Sequence, residues 1–154
     1  MIEEGISEPA ISAFESSFGS LISGSDGIIP EASIKPVTDL LHLDSITPKH
    51  DPTLLQETIV LKLNGGLGTS MGLDKAKSLL EVKNGHTFLD LTAKQIMSTR
   101  EQFGHHVKFM LMNSFSTSSD TLGFLHENYP DLAEEEGLEL LQNKVPKIDA
   151  TTFQ

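Results

Sequence analysis

Apolar positions along this chain change period at about residue 58. Before it, Ala10, Ile11, Phe14, Phe18, Leu21 and Ile22 fall on one helical face and predict a helix. The stretch "SGSDGIIPEASIKPV", from Ser23, is too rich in Gly, Ser and Pro for regular structure and predicts an irregular crossing. Thr38 to Leu43 is expected to form a short helix, broken by "SITPKHDPT". After residue 58 the runs shorten and become β-branched. "TIVLKLN" from Thr58 predicts a buried strand, and "SLLEV" from Ser78 a second short strand, closed by a turn at Asn84-Gly85.

Thr87, with Asp90 three residues on, is the pattern of a capped helix start; the helix should reach about Phe103 and stop at Gly104. Leu89, Ala93, Ile96, Arg100 and Phe103 mark its inner face. "VKFMLMN" from Val107 predicts another buried strand. Thr117 with Asp120 repeats the capping pattern, with Leu122, Leu125 and Tyr129 as inner stripe, and "LELLQ" from Leu138 is the next strand. Strands alternating with helices predict an α/β fold with parallel strands and helical crossovers. Such sheets bind ligands at the carboxyl ends of their strands, where Asn64, Asn113 and Gln142 fall. Residues 1–56 are read as a helical and loop segment, and residues 57–154 as part of the α/β domain.

Composition narrows the chemistry. The 154 residues suffice for one domain with a core. No apolar run approaches the ~20 residues of a membrane span, and "MIEEGISEPAISAFESSFGS" carries acids where a targeting segment carries Lys or Arg. Absence of cysteine excludes disulfides, thiolate catalysis and Cys-ligated zinc, and fits a cytoplasmic setting. A net charge of −11 argues against binding nucleic acid or anionic membranes. A phosphate ligand can therefore bind only where backbone N–H groups, local lysines or a bridging cation offset that field.

Such a place follows the first strand. "LKLNGGLGTSMGLDKAK", from Leu61, holds Gly65, Gly66, Gly68 and Gly72, whose bare backbone can turn sharply and offer several N–H groups to one anion. A Walker loop needs Gly-Lys, which is absent here; a dinucleotide fingerprint needs glycine where Met71 stands. Lys62, Lys75, Lys77, Lys83 and Lys94 surround the loop, the last two as a solvated face. The run Glu134 to Glu136 is expected to be solvated, and His105-His106 to belong to a polar loop rather than a metal site.

"LKLNGGLGTSMGLDKAKSLLEVKNGHTFLDL" closely resembles the signature of eukaryotic UDP-glucose pyrophosphorylases, the UTP–glucose-1-phosphate uridylyltransferases. "FMLMNSFSTSSDT" resembles their M-N-S-F-x-T segment, and "LLQNKVPKI" is similar to the segment holding a uracil-contacting glutamine. "GIIPEASIKPV" resembles protozoan members in particular. The likeness covers most of residues 27 to 148, in several separate blocks. Where many relatives have G-P before the lysine, this chain has Lys75-Ala76 before Lys77.

The resemblance implies a Rossmann-like nucleotidyltransferase sheet, mixed but mainly parallel, present here as the N-terminal part of a longer enzyme. It implies uridylyl transfer from UTP to glucose 1-phosphate, giving UDP-glucose and pyrophosphate. Leu63, Asn64, Gly65, Gly66, Gly68, Thr69 and Gly72 would hold the nucleotide, Gln142 would read uracil, and Lys77 would be the catalytic cation, with Lys75 as alternative. Met112 and Asn113 would lie near the ligand, though Met112 also suits the core. Mg2+ is expected to bridge the phosphates, with no ligand identified in this chain. The chain alone is expected to carry the UTP half-site without turnover. A noncatalytic nucleotide-binding module, a related UDP-sugar or UDP-N-acetylhexosamine pyrophosphorylase and, less well matched, an NAD-type domain are the alternatives.

Overall fold

The computed structural model describes residues 1–25 and 27–153, with Ser70 described in its backbone alone. Asp26, inside the expected irregular crossing, and the terminal Gln154 lie outside the described residues. The chain divides into two compact units, residues 1–49 with 143–154, and residues 50–142. The boundary expected at 56/57 falls inside the second unit. Leu55 there packs against the core, and the Gln56 side chain meets His105 Nδ1 at 2.8 Å.

In the first unit, α1 (Glu8–Ile22) has Pro9 in its first turn, and the rings of Phe14 and Phe18 stack 6.2 Å apart on its inner face. The helix expected over Thr38 to Leu43 does not form; only a 3-10 turn at Leu43–Ser45 does. Leu40, Leu41 and Leu43 are exposed. With no apolar face buried, nothing offsets the cost of nucleating so short a helix.

The second unit contains β1 (Ile59–Asn64), β2 (Glu81–Lys83), β3 (His86–Thr87), α2 (Phe88–Phe103), β4 (Lys108–Asn113), α3 (Ser118–Asn128), α4 (Pro130–Ala133) and β5 (Glu139–Leu141). Strands β1, β4 and β5 form a parallel sheet in that order, while β2 and β3 form a separate antiparallel hairpin. Asn84 and Gly85 link the hairpin with φ of +56° and +74°, as a tight two-residue turn requires.

Leu89, Ala93 and Ile96 of α2, Leu125 of α3 and Leu132 of α4 enclose Phe109 and Leu111 of β4. Only one sheet face is covered this way. β4 therefore buries alternate residues, Phe109, Leu111 and Asn113, and in β1 Asn64 alone is buried, with Leu63 68% exposed. Both runs were expected to be buried throughout; β1 differs most because it is the outer strand of a sheet covered on one face.

Helix α2 begins and ends as its sequence predicts. Thr87 Oγ1 accepts the Asp90 N–H at 3.1 Å, Asp90 Oδ2 accepts the Thr87 N–H at 2.7 Å, and Gly104 closes the helix at φ +66°. The other oxygen of Asp90 accepts the Tyr129 hydroxyl at 2.7 Å, tying this cap to the end of α3. At the far end of α2, Arg100 donates to Val107 O and pairs with Glu135 at 2.5 Å. Glu135 is thus half-buried rather than solvated like its neighbours Glu134 and Glu136, because its partner comes from a distant helix.

Burial pushes the Asp90 carboxyl up, but bonds from the Thr87 N–H, the Tyr129 hydroxyl and the Thr87 hydroxyl outweigh it and hold it below its ordinary value. Burial, then the bond to Asp90, pushes Tyr129 up to about 12. Asp90→Ala should lower stability by about 2 kcal/mol at neutral pH in urea unfolding, losing the cap and the tyrosine bond together. Asp90 favours folding above the ordinary carboxylate range, and that contribution disappears as pH falls through its depressed value. Tyr129 favours folding below pH ~10 and loses its contribution between there and about 12. Stability curves of wild type and Asp90→Ala should therefore converge at acid pH. Phenolate absorbance, from the single tyrosine, should titrate near 12 in wild type and lower in the variant.

Candidate functional site

The carboxyl ends of β1 and β4 meet in register, Asn64 beside Asn113. Asn64 Nδ2 donates to Asn113 Oδ1 at 2.7 Å and to Thr121 Oγ1 at 2.9 Å. Asn113 Nδ2 donates to Glu139 Oε1 at 2.6 Å, and Thr117 Oγ1 donates to Asn64 O at 2.8 Å. Both strand-end amides are thus engaged within the protein, and Asn113 is fully buried. The same network corrects the expected cap of α3. Thr117 precedes that helix, but its hydroxyl makes no helix-capping bond; it bonds the end of β1 and accepts the Ser114 N–H instead. Met112 is half-buried on the opposite sheet face, beside Leu63.

Past Asn64 the backbone leaves the sheet and returns antiparallel to itself. Leu67 and Ala76 form a β-bridge, flanked by Gly68 N–H to Lys75 O at 3.2 Å and Lys77 N–H to Gly66 O at 3.1 Å. The loop between them turns through Thr69–Met71 and through Gly72, whose φ is +72°. Gly68 is required because Leu73 lies against it: a Cβ there would be 2.5 Å from Leu73 Cδ1. Gly68, Thr69 and Gly72 thus shape the loop. Among the described residues, the N–H groups of Gly65, Gly66 and Leu67 donate to no protein acceptor.

Ala76 is buried, whereas Lys75 and Lys77 on either side of it are exposed. They are not equivalent. Lys77 lines a cavity of about 380 Å³ with Lys62, Leu63, Asn64, Gly66, Ser78, Phe88 and Thr92, and Lys75 is not among its lining residues. Two lysines and no carboxylate line this cavity, so it offers positive charge within an acidic chain. Ser78 escaped the sequence reading. The sole cue was its place directly after the candidate lysine.

Gln142 approaches from β5. Its N–H donates to Asn113 O at 2.8 Å, and its side-chain amide lies against Gly65, where a Cβ would overlap Gln142 Oε1. Gly65 thus permits this close approach without an unusual backbone angle; a Cβ there would push the end of the Gln142 side chain away. The residues nominated from sequence thus form two groups, Gly65 with Gln142, and Lys77 with Leu63, Asn64 and Gly66.

Lys94 contacts the His86 ring at 2.9 Å, and His106 Nε2 lies 3.6 Å from Glu135. Among the described residues no three His, Cys, Asp or Glu side chains come close enough to hold a metal ion. No carboxylate lines the cavity that holds Lys77, so its lining residues do not themselves build a magnesium site.

Residues 11–154 match the family model described as UTP--glucose-1-phosphate uridylyltransferase. The Solanum tuberosum protein of that name is 45% identical over 124 residues, 76% of this chain and 26% of that protein. The Saccharomyces cerevisiae protein is 54% identical over 67 residues, 44% of this chain and 13% of its own length. A mutant Leishmania major UDP-glucose pyrophosphorylase, solved in complex with UDP-glucose, superposes with a TM-score of 0.89 at 47% identity, over 100% of this chain and 32% of that one. A Trypanosoma brucei structure titled UDP-glucose phosphorylase gives 0.89 at 49% identity, over 99% of this chain and 33% of its own. The chain thus spans a third or less of these relatives. Matched over residues 11–154 and alike in fold, it belongs to the UTP--glucose-1-phosphate uridylyltransferase family.

Proposed function

We propose that this chain forms the UTP-gripping part of a uridylyl-transfer site. The observation that carries the reading is the apposition of Gln142 to Gly65, next to the unengaged amides of Gly65, Gly66 and Leu67. A glutamine amide offers both a donor and an acceptor, as the edge of uracil requires. The absent side chain at Gly65 lets that amide lie close to the backbone, so a base edge bound by Gln142 would sit beside the loop's free N–H groups. The amides and the Lys77 ammonium then face the phosphates, with Lys62 nearby on the cavity wall.

In the reaction, a phosphate oxygen of glucose 1-phosphate attacks the α-phosphorus of UTP. The bond from that phosphorus to the bridging oxygen breaks, and pyrophosphate departs with the electron pair; the reverse uses the same atoms. No protein nucleophile is needed. Positioning two polyanions and neutralising their charge is what such chemistry asks of a protein. Lys77, a point charge on a flexible stem, suits phosphate oxygens. Mg2+ belongs to this reading as a counter-ion carried by the nucleotide, and no step here runs through it.

In this reading the chain supplies the UTP side of the site; it aligns with 32% of the solved relative. Its setting is cytoplasmic, without nucleic-acid or membrane partners. Among the described residues no helix is long and apolar enough to cross a membrane.

Calorimetric titration should give UTP binding that weakens with added salt. Lys77→Ala should raise Kd about tenfold or more, the scale of a lost charge-assisted bond, while Lys75→Ala has little effect. Gln142→Ala should narrow the preference for UTP over CTP by about tenfold. With glucose 1-phosphate and Mg2+ supplied, the chain alone should form no UDP-glucose. Absence of UTP binding would overturn the reading; turnover near that of a full-length relative would overturn the half-site.

A further inference from the structure

Ser78 sits in the 3-10 turn Lys77–Leu79, between the catalytic candidate Lys77 and Leu79, which packs against the core. It is 6% exposed. Its hydroxyl is the one buried side-chain oxygen or nitrogen among the described residues that has no hydrogen-bond partner. Ser78 also lines the cavity that holds Lys77, Gly66 and Asn64. The other neutral polar side chains there are engaged: Asn64 bonds Asn113 and Thr121, and the Thr92 hydroxyl donates to Phe88 O at 2.9 Å.

A buried hydroxyl without a partner destabilises a protein, and native structures rarely keep one unless something else supplies the missing bond. Here the surroundings say what. Lys62 and Lys77 line the same cavity, and no carboxylate does, so the space favours an anion. A hydroxyl donates, and a phosphate oxygen at neutral pH is an acceptor.

Resting on the nucleotide reading above, we infer that Ser78 is a further binding residue, whose hydroxyl donates to a phosphate oxygen of the bound nucleoside triphosphate beside Lys77. The orphaned donor of the free protein finds its partner when the phosphates enter, so the bond forms only in the complex.

The test pairs stability with affinity on the full chain. Ser78→Ala removes a hydroxyl that bonds nothing in the free protein, so its Tm should equal or exceed that of wild type. Its Kd for UTP should rise about tenfold, as for one hydrogen bond to a charged group. Inorganic tripolyphosphate should lose affinity in the same proportion, and uridine should lose none. Equal UTP affinity in variant and wild type overturns the Ser78 assignment while leaving UTP binding intact. A lowered Tm with proportionate loss of uridine and UTP affinity overturns it in favour of a structural role. If wild type itself fails to bind UTP, the inference falls with the reading on which it rests.

Discussion

The side-chain amides at the ends of β1 and β4 set the position of everything that follows them. Asn64 joins Asn113 and Thr121, Asn113 joins Glu139, and Thr117 returns a bond to the Asn64 carbonyl. Three strands and α3 are thereby fixed to one another where the sheet ends. Removing one partner from such a buried network leaves its mate desolvated and unpaired, which costs more than the bond contributes. The geometry is thus stiff at the point where the chain enters the glycine loop. In the proposed reading the bare backbone grips the ligand, and this network is the rigid base that holds that backbone.

Above it, the loop relies on small approaches rather than on many contacts. Gly68 accommodates Leu73, Gly65 accommodates Gln142, and the Leu67–Ala76 bridge ties the loop's two ends. Backbone pairing of Lys77 with Gly66 brings an ammonium-bearing residue back towards the end of β1, thirteen residues after Asn64. In a chain of net charge −11, the proposed attraction for a polyanion has to be local, and Lys62 and Lys77 are the charges that line the cavity.

Much of this was legible in the sequence, for identifiable reasons. The α2 boundaries followed from Thr87, Asp90 and Gly104 because caps are local chemistry. Parallel strands followed from alternation of runs and helical spacing. What failed depended on partners far along the chain. Thr117 and Asp120 had the spacing of a cap, but the carboxyl end of β1 captured the threonine hydroxyl first. Glu135 read as solvated because Arg100, its partner, lies 35 residues away in sequence. Asn64 and Asn113 were legible as strand ends, but that their amides bond one another depends on register, which no local pattern gives. Lys75 and Lys77 stood as alternatives until the bridge at Ala76 set which of them borders the cavity. Ser78 was silent, since a serine looks the same in sequence whether or not its hydroxyl is bonded.

The outer strand carries a further consequence. Ile59, Leu61 and Leu63 are exposed along an edge whose odd-numbered backbone groups face away from β4. Such a margin is adhesive: any extended peptide with suitable side chains can zip onto it, another copy of this polypeptide included. The net charge of −11 opposes such association through mutual repulsion of like-charged surfaces. Handling is therefore a matter of ionic atmosphere, because acid or concentrated salt quiets that repulsion and leaves the sticky margin free to act.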